Sequence, residues 1–422
     1  MSVSTDVLSS RTEGQSFNSS KALLALCLGH AVERYEVFLF ACYSAVLAPI
    51  FFPSVSPVAG VLASFGTFAS GFIMRPLGGV IFGCIGDRYG RRVALMWSII
   101  PVSIICFIVA VLPTYETIGV VAPICLLSLR LLQGVFVGGE YSGAIIYFFE
   151  STSEKRKGVS CGMICALGFL GALLATATSS LTSLLPHVAG WRIGFILGGL
   201  LGIAVFIMRL SVHESVDFKR FQDSHKSKIS LHPFKDPSRL LLTFFLGAMS
   251  HIPLYVSTVF MSFLLLQAGL SHAESLAVTS GILALWFVTL LCMGYVADYI
   301  GQEKMIMLAL VLLCIAPFPL LYWIGTGSHP MMSVITAQIT FTLLGATFLG
   351  PSASYIPALF SIGVRYRSVA SGITFGKAIL GGTAPVICLY LYKNMPSTQY
   401  ISLYICAISL VTLVMVIKTS QK

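Results

Sequence analysis

Long apolar runs, broken by brief polar knots, set the pattern of this chain. About twelve runs reach spanning length, at residues 22–50, 58–83, 93–112, 119–147, 158–184, 193–209, 239–267, 275–296, 305–324, 331–359, 369–392 and 399–417. A run of at least about 18 apolar residues has the reach of a helix across the hydrocarbon layer. The pattern therefore predicts an all-α polytopic membrane protein. The only long hydrophilic interior stretch, 211–238, carries Lys219, Arg220, Lys226, Lys228 and Lys235 and divides the spans six and six. Residues 21–210 and 239–417 are then two pseudo-symmetric six-helix bundles, with polar tails over 1–20 and 418–422.

The densest knot is Gly83-Cys84-Ile85-Gly86-Asp87-Arg88-Tyr89-Gly90-Arg91-Arg92, directly after the apolar run from Phe68 to Phe82. Charge this concentrated is expelled from lipid, so the knot is a short surface loop between the second and third spans. A faded copy, Gly294-Tyr295-Val296-Ala297-Asp298-Tyr299-Ile300-Gly301-Gln302-Glu303-Lys304, follows the second span of the second half. Gly, Asp and Gly recur at the same spacing, whereas the arginines are mostly lost. Duplication of a six-helix unit accounts for the echo.

Composition agrees. Of 422 residues 56% are hydrophobic and only 10% charged, with a mean hydropathy of +0.90; soluble domains carry roughly 25% charged residues. The net charge of +10 would suit a nucleic-acid partner, but its distribution excludes one. Twenty of the 26 lysines and arginines fall in the tails or in loops on one side. That asymmetry is the positive-inside rule and places both termini and the linker in the cytoplasm. Arg192 and Lys393 lie outside, while Arg34, Arg75, Arg130 and Lys377 lie within spans. Met1 to Ser20 has no separate apolar core or small-residue cleavage site, so the first span itself directs insertion. The eleven cysteines show no Cys-x-x-Cys pair. Cys161 and Cys165 share a helix face without a nearby His or acidic partner, and are small buried residues with no metal or cofactor.

Charges inside spans carry the candidate chemistry, since each costs roughly 2.5–3.5 kcal/mol near mid-bilayer. The first helix holds Glu33-Arg34-Tyr35-Glu36, with His30 one turn earlier. Glu33 lies about 18 Å along the helix from Lys21 at 1.5 Å per residue, near the bilayer centre. Glu33 and Glu36 share a face, and Arg34 points roughly 100° away. Arg75 lies in the second span, Arg130 in the fourth, and Glu140 about two and a half turns beyond it. Such acidic and basic groups are a buried network able to bind a substrate or hand on a proton; a fixed ion pair is the alternative. In the second half Lys377 could meet a substrate carboxylate or snorkel to the membrane edge. His251 reads as a packing histidine. Glycine and proline within spans, as in Pro76-Leu77-Gly78-Gly79, Gly138-Gly139 and Gly350-Pro351, allow close helix approach and bending.

These motifs together resemble the major facilitator superfamily, within it the metabolite:proton symporter branch of proline/betaine, α-ketoglutarate, citrate and shikimate transporters. Gly83 to Arg92 is similar to the superfamily's loop between helices two and three, and Arg130-Leu131-Leu132-Gln133-Gly134 to its fourth-helix signature. Met74 to Gly79, Gly134 to Tyr141, Pro113 to Gly119, Trp191-Arg192-Ile193 and Gly381 to Pro385 resemble the branch. The resemblance implies two bundles rocking about a central site. It further implies a gating loop in which Asp87 holds helix ends in the outward-facing state, helped by Gly83, Arg88, Gly90, Arg91 and Arg92. Asp298 would be the weaker counterpart, and Arg130 is associated with proton coupling. The branch usually reads Glu-Trp-Tyr/Phe-Asp-Phe where this chain has Glu33-Arg34-Tyr35-Glu36-Val37. His30 replaces a common Asn, and Lys377 an uncharged residue. The chain ends soon after its last span, without the coiled-coil extension of some osmosensing relatives, so osmotic gating through such a tail is not expected.

The expected function is proton-coupled symport of a small carboxylate-bearing solute by a protein working as a monomer with substrate, protons and lipid as partners. Pairing Glu33 or Glu36 with Lys377 suits a zwitterion such as proline or betaine, the preferred reading. Arg75, Arg130 and Lys377 together suit an organic acid. A membrane sensor that has lost transport is the alternative of another class. No nucleophile elbow or phosphate loop points to an enzyme.

Overall fold

A computed structural model describes residues 6–53, 66–67, 70–183, 187–224, 236–327 and 329–421. Among these residues there is no strand, and twelve membrane helices follow one another. They are α1 (Asp6–Phe51), α2 (Arg75–Arg88), α3 (Arg91–Val111), α4 (Val121–Ser151), α5 (Lys157–Thr182) and α6 (His187–Leu210). The second six are α7 (Pro237–Gln267), α8 (His272–Ile300), α9 (Gln302–Gly325), α10 (Pro330–Ala358), α11 (Arg365–Asn394) and α12 (Gln399–Ser420). A short amphipathic helix, Val216–Ser224, lies in the linker. Ten of the twelve have the length and apolarity to span a membrane unaided. The exceptions are α1, with three charges at Glu33, Arg34 and Glu36, and α2, which is described over 14 residues. Helix α1 starts at Asp6, inside the segment expected to be a tail. Of the expected span 58–83, residues 58–65 and 68–69 lie outside the described residues, as do linker positions Lys226, Lys228 and Lys235.

Local chemistry explains the helix limits. Proline at the first turn opens α7 and α10, where its missing N–H costs nothing. Helix α8 opens with a capping box, Ser271 and Glu274 exchanging bonds with each other's backbone amides. Two helices of the second bundle are broken at mid-length: α7 passes through a π turn at Val256–Phe260, and α11 through one at Lys377–Gly381. Such turns leave the regular ladder and re-aim side chains, and they recur at functional sites.

The bundles meet along two related seams, α2 against α11 and α5 against α8. Both seams need glycine. A Cβ at Gly83 would stand 2.4 Å from the Arg367 Cα, and one at Gly158 2.6 Å from the Gly294 carbonyl oxygen. Small residues at these points bring helix backbones into contact, which is how helices associate where no hydrophobic driving force separates them from lipid. Further along α5, Phe169 stacks on Trp286 of α8 with ring centroids 5.2 Å apart.

Candidate functional site

Two polar assemblies stand out, one at the end of the molecule bearing Gly83 to Arg92 and one at mid-depth between the bundles.

At the first, Asp87 caps a helix of the other bundle from the last turn of α2. The expected loop is helical as far as Arg88, and only Tyr89 and Gly90 form the turn. Asp87 Oδ1 accepts the backbone N–H of Tyr366 at 3.0 Å, and Oδ2 that of Arg367 at 3.1 Å. These are amides of the first turn of α11, where the helix dipole favours an anion. Asp298 repeats the arrangement on the other seam, accepting Gly158 N–H at 2.7 Å and Val159 N–H at 2.9 Å at the start of α5. The sequence echo is thus a geometric one.

The expected arginine helpers divide. Arg91 is fully buried and donates to Asp87 at 3.2 Å and to both oxygens of Glu150 at 2.9 and 3.0 Å. Glu150 also accepts from Arg365 at 2.9 Å and from Ser215 Oγ at 2.6 Å, tying both bundles and the linker to one carboxylate. Arg88 is exposed and lies over the Tyr89 ring, and Arg92 donates to the Leu210 carbonyl. Neither of these bonds reaches Asp87. Gly90 adopts φ 113°, a left-handed conformation that glycine takes without strain; the turn exposes the first amides of α3 to Glu214, which accepts Arg91 N–H at 3.0 Å. Burial pushes the Glu214 carboxyl up from its ordinary value, against the bonds from Ser215 and Arg92 that lower it.

At mid-depth the intramembrane charges form an open ring of contacts that runs from Lys377 round to Arg34. Lys377 Nζ sits 3.6 Å from the Tyr141 ring centroid, and that ring lies 4.9 Å from His30. His30 Nδ1 is 2.8 Å from Glu33 Oε2, and Glu33 Oε1 is 3.8 Å from the Arg75 guanidinium. Arg75 lies over Phe72, which meets Tyr255 edge-on at 6.4 Å. Tyr255 contacts His251, and His251 Nε2 is 3.3 Å from Arg34. The ring draws on α1, α2, α4, α7 and α11, so each bundle contributes. Lys377 turns inward at the π turn of α11 rather than snorkelling to the membrane edge. His251, expected to be a packing residue, joins the two bundles here.

The two acidic residues of α1 part company. Glu33 faces the ring, whereas Glu36 faces α4, accepting Gln133 Nε2–H at 2.9 Å. Gln133 in turn accepts a short bond from Arg130, whose guanidinium lies 3.8 Å over Phe40. Glu36 Oε1 has no nitrogen or oxygen donor and lies beside the Cys106 thiol. Arg75 and Arg130 both line a small cavity of ≈20 Å³ bounded by Phe72, Gln133 and Val137. The Nε of each is buried without an acceptor.

Glu140 stands apart from this group. It is doubly bonded to Arg209 and accepts Ser98 Oγ–H at 2.6 Å. Arg209, counted by sequence among the charges of the basic side, turns inward and is 1% exposed. Arg209 and Glu150 are the polar residues that sequence reasoning passed over, because both fall at helix ends where charge is ordinary.

Residues 37–385 match the profile of the Major Facilitator Superfamily. The chain is 30% identical over 418 residues to the inner membrane metabolite transport protein YhjE of Escherichia coli (strain K12), covering 95% of this chain and 94% of that protein. It is 28% identical to a putative proline/betaine transporter of Staphylococcus haemolyticus, covering 94% and 87%, and 26% identical to the proline/betaine transporter of Escherichia coli (strain K12), covering 93% and 82%. Among solved structures, the proton:xylose symporter XylE bound to 6-bromo-6-deoxy-D-glucose aligns with a TM-score of 0.80 at 16% identity, covering 95% of this chain and 96% of that one. The human organic anion transporter MFSD10 aligns with a TM-score of 0.71 at 16% identity, covering 94% and 99%. At such identities these structures bear on the fold alone.

Proposed function

Because the chain belongs to the Major Facilitator Superfamily, we propose that it is a secondary active transporter that carries a small carboxylate-bearing metabolite with protons across a bacterial inner membrane. The observation that carries this reading is the ring of buried charge to which both bundles contribute. A buried charge without a full partner is expensive, and a site built between two rocking units is where a transported solute meets both of them. The metabolite and proline/betaine transporters among the relatives point the same way.

The remaining residues take roles in the cycle. Glu36 is the proton carrier: a proton can occupy its Oε1 without breaking a hydrogen bond, and Gln133 links it to Arg130. On losing the proton, the carboxylate attracts the Arg130 guanidinium through a low-dielectric interior, which changes how α1 and α4 pack. Asp87 and Asp298 are the latches of the outward-facing state, each holding a helix N-terminus of the opposite bundle on the cytoplasmic side. Opening that side requires both to release two amides.

The test is uptake into proteoliposomes of a radiolabelled panel of carboxylate solutes, driven by an inward proton gradient. We expect at least one solute to accumulate, and a protonophore to abolish the accumulation. Failure of every solute in both uptake and counterflow would overturn the transporter reading and favour a sensor.

A further inference from the structure

We propose that the transported solute is a small dicarboxylate, bound as a dianion, rather than a zwitterion. The inference rests on the transporter reading above and deepens it. Around the mid-depth ring stand three cationic side chains, Arg34, Arg75 and Lys377, against one carboxylate, Glu33. Among the described residues no carboxylate lies within ion-pair distance of Arg34 or Lys377. Both are buried, and what they meet is a histidine and a tyrosine ring.

The imbalance has the size of two negative charges. Buried ions are retained only where something pairs them, and here the missing partner is one the protein does not supply. Arginine presents paired donors matched to a carboxylate, while lysine acts as a point charge. The cavity beside Arg75 has unused donors of that kind, the Nε of Arg75 and of Arg130. One carboxylate of the solute takes these donors, and the other meets Arg34 and Lys377, one from each bundle.

A zwitterion fits poorly. Its ammonium needs a free acceptor, and Glu33, the carboxylate on the ring, already holds His30 and faces Arg75. Glu36 lies behind Gln133 beside Cys106. Placing a further cation among three would add like-charge repulsion in a low-dielectric site.

The experiment uses the full chain in proteoliposomes, with succinate and 2-oxoglutarate compared against proline and glycine betaine in counterflow and in competition. We expect a dicarboxylate to be carried and to compete, with the zwitterions inert at the same concentration. Lys377→Gln should weaken dicarboxylate affinity by about tenfold or more, and Lys377→Arg should recover much of it. Transport of proline or betaine without dicarboxylate transport overturns this inference and leaves the transporter reading intact. Transport of none of the four in wild-type protein, with uptake of another solute, also overturns it; no transport of any solute overturns both. The wild-type competition needs no variant, so a Lys377 variant that fails to fold does not protect the proposal.

Discussion

Glu33 and Glu36 are three residues apart on one helix, yet their surroundings assign them different work. Glu33 is tied to His30 and faces Arg75, whereas Glu36 has an amide donor and an oxygen with room for a proton. Glu36→Gln should therefore abolish accumulation above equilibrium while leaving solute exchange measurable; uncoupling by Glu33→Gln with a normal Glu36→Gln would reverse the assignment. Arg209 makes a different prediction. It is the partner of Glu140, buried in a site that sequence could not identify. Removing it alone, as Arg209→Leu, leaves a buried carboxylate unpaired and should cost about 3–5 kcal/mol, read as a lower thermal midpoint in detergent. The double change Arg209→Leu with Glu140→Leu should restore most of that stability. If the two losses simply add, the pair is not acting as a brace. The identities of Glu33, Glu36, Arg75, Arg130 and Lys377 as misplaced charge were legible from the chain, because each interrupts an apolar run. Their partners were not. Arg34 was expected to point away from the two glutamates, but only the position of α7 reveals that His251 receives it.

Helices behave here as carriers of termini and breaks as much as of faces. The knot at Gly83 to Arg92 and its echo at Gly294 to Lys304 each deliver an aspartate to a helix N-terminus across a seam. A carboxylate at such a terminus contributes about 0.3–2 kcal/mol through the dipole. Asp87 adds Arg91, Glu150 and Arg365 to that, and among the described residues Asp298 has no such arginine cluster behind it. Asp87→Asn should thus slow turnover more than Asp298→Asn, with little change in substrate affinity for either; a loss of affinity at unchanged turnover would remove both from gating. The π turns of α7 and α11 were not predictable from periodicity, although Gly376, Gly381 and Gly382 hint at the second. A π turn is a local misfit that packing must hold open, and a hydrophobic pattern records only which residues avoid water.

Two seams of the same construction join the bundles, and in the proposed cycle their energies act on one rigid-body motion. Losing one aspartate leaves the other seam to hold the closed state. The double variant Asp87→Asn, Asp298→Asn should accordingly slow counterflow by more than the product of the single effects; independent, multiplicative losses would show that the seams do not share a transition. The number of spans, the division into two bundles, the duplication and the side bearing the basic loops were all set by the order of residues. Each is a statement about transfer between water and lipid, which every segment decides largely by itself. Which charge meets which was decided only when helices distant in the chain packed together. Glu150 joins three parts of the molecule, Lys377 finds Tyr141, and Arg34 finds His251. Such pairings depend on distances of a few ångströms between segments hundreds of residues apart, and no local pattern records them. The excess of positive charge at mid-depth belongs to the same class, which is why the chain alone favoured a zwitterion and the packed helices favour a dianion.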